Sequence, residues 1–145
     1  MSNELSNVEK NEIVQNTGLL QQMDLGSFYS VKAETKEEKV NLFNAINNPS
    51  KRVSDFINKE IVIKDVLIEI VELANDKTGE LVPCPRIILV DKKGVTYQCV
   101  SVGIFSAIKK LVALFGSPTW EDGIKVIIKQ ITKKERSMLT IEAVI

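Results

Sequence analysis

Apolar and polar positions along this chain alternate as in strands, change once to a helical period, and then alternate again. Glu60–Glu72 (EIVIKDVLIEIVE), Arg86–Asp91 (RIILVD) and Val95–Val102 read as three successive strands. Ile104, Ile108, Leu111, Val112 and Phe115 then recur at the spacing of one amphipathic helix, started at Ser101 or Gly103 and closed by Gly116 with Pro118 beyond it. Ile124–Ile131 and Met138–Ile145 return to the strand pattern, with Ile124, Val126 and Ile128 turned inward. In the first strand, Ile61 and Ile63 are out of phase with Val66, Ile68 and Ile70. A β-bulge near Lys64-Asp65 brings the two sets onto one face.

Turn chemistry separates these runs. Asn75–Gly79 and Asp91–Gly94 suit hairpins, and Lys133–Arg136 turns the chain between the last two strands. Upstream, Ser27–Val31 (SFYSV) reads as a short strand. Thr35 and Glu38 have the spacing of a capping box before a helix that carries Val40, Phe43 and Ile46, which Asn47-Asn48-Pro49 stops. That helix is expected to pack its Phe43–Ile46 stripe on the strands or on another subunit. Residues 1–26 are polar with scattered Leu19, Leu20 and Met23, and read as a flexible arm. The division is an arm over 1–26, a strand and helix over 27–58, and a strand-rich domain over 59–145. The order of three strands, one helix and two strands in the last part predicts a mainly β protein. Its predicted form is a five-stranded oligonucleotide-binding (OB) barrel with the helix between strands 3 and 4.

Composition narrows the chemistry. The chain has 145 residues, 44% hydrophobic and 26% charged, enough for one domain with a core. Its 19 basic and 19 acidic side chains cancel, so net charge does not itself argue for a nucleic-acid partner. Histidine is absent, and the two cysteines, Cys84 and Cys99, lie in different strands. Neither a zinc site nor a disulfide scaffold is expected, and no cofactor or metal. No Gly-rich phosphate loop is present and no serine or cysteine has an evident base beside it, so an enzyme is not expected. No apolar run approaches a membrane span and the first residues do not form a secretory signal, so a cytoplasmic protein without a membrane partner is expected.

Several segments, in order, resemble the single-stranded-DNA-binding proteins of phages and mobile elements of Gram-positive bacteria. They are Phe28–Val31 followed by Lys39–Asn47, Lys64-Asp65-Val66, Thr78-Gly79-Glu80 leading to Pro85-Arg86-Ile87, and Tyr97–Ser101. Gly103-Ile104-Phe105, Gly116–Trp120 and Leu139–Glu142 complete the set. The resemblance implies an OB-like fold and a protein that coats strands displaced during DNA replication. One departure is that the chain ends in Val144-Ile145 rather than in an acidic tail, which puts tail-mediated recruitment of partner enzymes in doubt.

Binding single strands without sequence preference takes aromatic faces for bases and cations for phosphates. Tyr97, placed outward in the third strand beside Arg86, supplies the candidate stacking ring and guanidinium. Trp120 is the second aromatic candidate, with closure of the barrel end as its structural alternative. Phe28 and Tyr29 read as strand anchors, and Phe105 and Phe115 as core. Lys92 and Lys93 cap one hairpin, Lys133, Lys134 and Arg136 another, and Lys125 and Lys129 project from the fourth strand. Single-stranded DNA is the expected partner, with replication proteins and further copies of the chain as additional ones. A protein-interaction or oligomerisation module, and a duplex- or RNA-binding OB protein, are the rival readings.

Overall fold

The computed structural model describes residues 26–145; the expected arm lies outside the described residues except for Gly26. One long strand, β3 (Glu60–Ala74), organises the rest. β4 (Leu81–Asp91) runs antiparallel along its whole length, from Ile63 opposite Asp91 to Ala74 opposite Leu81. The register slips between Ile63 and Asp65, at the expected bulge. On the other edge of β3, β6 (Ile124–Lys133) pairs with Glu60–Ile63 and β1 (Ser27–Tyr29) with Leu67–Glu69. β5 (Thr96–Val100) pairs with β4, β2 (Lys51–Arg52) lies parallel to β5, and β7 (Arg136–Ala143) pairs with β6. The sheet order is β2-β5-β4-β3-β6-β7, with β1 to one side.

The protein is therefore mainly β, with a curled sheet consistent with an OB-like fold, but it corrects the expected barrel in three respects. There are seven strands among the described residues rather than five, the long helix follows the fifth strand of the chain, and the sheet stays open because β5 and β7 do not pair. A strap spans part of the gap. After β2 leaves β5, a 3-10 turn at Val53–Phe56 buries Val53 completely. Ile57 and Asn58 then bridge to Ile128 in β6.

β4 begins five residues earlier than expected and runs through Pro83 and Pro85. The even residues of β3 point their backbone groups at β1, as Ile70 N–H to Gly26 O shows, so its odd residues face β4. Paired with those, Cys84 and Val82 use their backbone groups on β3. Pro83 and Pro85 face the other edge, where β5 has already ended at Val100 opposite Arg86. No ladder hydrogen bond is lost.

Inside the curl, Ile61, Ile63, Val66, Ile68, Ile87, Leu89, Val126 and Ile128 pack against Ile104, Ile108, Leu111 and Val112 of helix α2 (Val102–Phe115). Each such aliphatic burial contributes about 1.5–3 kcal/mol. Ser101 caps α2 by accepting the Ile104 N–H at 3.0 Å. Gly103 lets α2 approach β7, because a Cβ there would collide with the Leu139 carbonyl oxygen. Phe115, expected in the core, is 56% exposed, since the buried stripe ends at Val112.

Helix α1 (Lys36–Asn47) lies on the opposite, outer face of the sheet. Thr35 and Glu38 form the expected capping box. α1 turns Asn41, Leu42 and Ala45 toward Val90 and Thr96, yet no residue of it is fully buried. No helix among the described residues is long and apolar enough to cross a membrane.

Candidate nucleic-acid interface

The two expected aromatic contacts point into the protein. Tyr97 is 7% exposed, edge-on to Phe56 with ring centroids 5.0 Å apart, and its hydroxyl donates to Asp91 Oδ2 at 3.0 Å. Burial, reinforced by that carboxylate, pushes its phenol up to about 12. The correction is one of parity: Tyr97 and Cys99 face the core, while Thr96 and Gln98 face α1's side of the sheet. Trp120 is also 7% exposed and donates its indole N–H to the Gly116 carbonyl at 2.9 Å, so it takes the structural alternative and fills the core end.

Arg86 is on the outer face as expected, but its guanidinium is already engaged. It donates to Ile46 O at the end of α1 (2.8 Å), to Glu69 Oε1 (3.0 Å) and to Gln98 Oε1 (3.2 Å). This is a clasp holding α1 to three adjacent strands rather than a free phosphate ligand. Lys92 and Lys93 sit in the turn that ends β4, and Lys125 lies near Glu60 at 4.0 Å. They are separated from the β6–β7 turn by most of the length of β4, roughly 30 Å at strand rise. Lys129 faces Glu142 at 3.7 Å. These exposed ion pairs hold little energy.

Lys133, Lys134 and Arg136 stay together. Lys133 pairs with Arg136 across a two-residue turn in which Lys134 and Glu135 both have positive φ, 47° and 64°. That is the twist-matched geometry of a tight hairpin. The turn brings Arg136 to the β3–β4 hairpin, where it borders Leu73, Asn75, Lys77, Val82 and Cys84 around a cleft of about 490 Å³. The β3–β4 tip is itself fixed, because Asn75 Oδ1 accepts the Lys77 N–H at 2.8 Å and Gly79 has φ 73°. Further along β7, a second opening lies among Leu139, Gln98, Cys99, Val100, Ser54 and Arg52.

Both openings lie where β7 passes the edge formed by β4 and β5 without pairing to it. Taken together as a seam along β7, they have Lys77, Arg136 and the acid Asp76 at one end and Arg52 at the other, with Val82, Val100 and Leu139 as apolar wall. Cations along such a groove can follow a phosphate chain, although no aromatic ring lines either opening. Cys84 lines the seam. Cys99 borders it but is largely covered, and burial pushes its thiol up to about 12. Lys77 and Arg52 were missed as candidates: the turn sequence around Lys77 was visible, but its position opposite Arg136 is a tertiary fact.

The family model described as phage single-stranded DNA-binding protein, of the phi29 type, matches residues 4–143. No curated protein and no solved structure matches the chain.

Proposed function

Because the chain belongs to the phi29-type family of phage single-stranded DNA-binding proteins, we propose that it holds a single strand in the seam between β7 and the β4–β5 edge, without sequence preference. The family match over residues 4–143 is the observation that carries this reading. The seam supports it, since Arg136, Lys77 and Arg52 line it with positive charge, Lys133 and Lys134 lie in the turn beside Arg136, and Leu73, Val82, Val100 and Leu139 offer apolar contact. The role is to cover strands exposed during phage DNA replication in the host cytoplasm, alongside replication proteins, using an OB-type sheet and no chemistry of its own.

A titration tests this. Poly-dT should bind more tightly than duplex of equal length, with log K falling against log salt by about 0.7 per phosphate contacted. Arg136→Ala and Arg52→Ala should each weaken poly-dT binding several-fold and make that slope shallower. Equal affinity for duplex or for poly-rU would replace the reading with duplex or RNA binding. Absence of binding would leave a protein-interaction module.

A further inference from the structure

All eight aromatic side chains of the chain lie among the described residues, so the supply of stacking surfaces can be counted. Phe28, Tyr97 and Trp120 are buried, and Tyr29, Phe56 and Phe105 are half-buried. Only Phe43 and Phe115 stand mostly in solvent. Phe115 has Leu111 and Val112 as its helical neighbours one turn back. Phe43 has Lys39 and Val40 there, and Lys36 a further turn back.

The helical repeat sorts α1 into two faces. Glu38, Asn41, Leu42 and Ala45 look toward the sheet. At 100° per residue, Lys36, Lys39, Val40, Phe43 and Asn47 look the other way. This outward face carries two cations and a ring that is 62% exposed, with the acid Glu37 at its edge. A lone exposed phenylalanine is ordinary. A ring flanked by cations on one stripe, in a protein whose other aromatics are mostly withdrawn, matches the chemistry that stacked bases and their phosphates require.

Its placement adds a second line of support. Arg86 fixes the carbonyl at the end of α1 to the outer face of β4. Cys84 and Val82 follow Arg86 on that same face, about 7 Å per pair of residues, and both line the seam. The seam therefore leads to the C-terminal end of α1, one turn from Phe43.

We propose that the outward face of α1 is a second contact for the single strand, with Phe43 stacking on a base and Lys36 and Lys39 on phosphates. This rests on the single-strand reading above, and the test separates the two.

Poly-dT affinity is measured for the wild-type chain and for Phe43→Ala, Phe43→Leu, Phe43→Trp and Arg136→Ala, with sedimentation of each protein. Phe43→Ala should lose about tenfold or more in affinity, the usual consequence of removing one stacked ring, while circular dichroism stays unchanged because the ring stands mostly in solvent. Phe43→Trp should keep the affinity, and its new exposed indole should be quenched by poly-dT. Phe43→Leu, which keeps apolar area but not the ring, should behave as the alanine variant. Wild-type affinity in Phe43→Ala alongside weakened Arg136→Ala overturns this inference and leaves the seam standing. A change of mass in Phe43→Ala that Phe43→Leu restores, together with its affinity, also overturns it, since the face then joins two copies of the chain. No binding by the wild type removes the single-strand reading itself.

Discussion

Arg86 illustrates how the same side chain supports different roles before and after its neighbours are known. Its position as the one cation of an otherwise largely apolar strand marks an outward side chain, and that much is legible in the sequence. What occupies it is not, because Ile46 O, Glu69 and Gln98 reach it from three other elements. Arg86→Met leaves the Glu69 carboxylate without its partner at a half-buried position and releases the end of α1. The variant should lose about 1–3 kcal/mol of stability in a denaturant melt. If Arg86 were instead a phosphate ligand, the same change would lower DNA affinity and the salt slope while leaving the melt in place.

Elements whose cause is local were readable: the capping box of α1, the Ser101 cap of α2 and the bulge in β3 each depend on a few adjacent residues. β5 was harder. Its two faces, Val95-Tyr97-Cys99 and Thr96-Gln98-Val100, are both partly apolar, and a tyrosine suits a rim or a core. The structure turns Tyr97 and Cys99 inward, which has a consequence at high pH. Both groups have folded values near 12, above their ordinary 10.0 and 9.0. A raised value means the folded state keeps its proton where the unfolded state has lost it. Stability from these groups is thus complete below about pH 9 and falls as pH rises toward 12. Thermal melts at stepped pH should show this decline, and Tyr97→Phe with Cys99→Ala should flatten it. An unchanged decline in that double variant would place the cause elsewhere.

At the scale of the whole molecule, the seam depends on a pairing that is missing. A mainly β fold consistent with an OB-like sheet was legible from the run of three strands, a helix and two strands, but the strand count and the place of the helix in the chain were not. Hydrophobic patterns do not report that β5 and β7 stay apart or that a strap from Lys51 to Lys59 crosses between their surroundings. The zero net charge similarly conceals a local arrangement, with Arg136 and Lys77 meeting at one end and Arg52 at the other. This arrangement predicts a modest salt dependence carried by few phosphates rather than by a broad basic surface.

The chain's own two thiols allow the seam to be probed without substitution. Cys84 opens onto it, and burial pushes the Cys99 thiol up to about 12, which disfavours its reactive thiolate. Saturating oligo-dT should slow alkylation of Cys84 near neutral pH by about tenfold or more, with Cys99 slow throughout and duplex of the same length giving little protection. Cys84 reacting at the same rate in free protein and in a complex shown by titration to be fully formed would contradict the seam as the path of the strand.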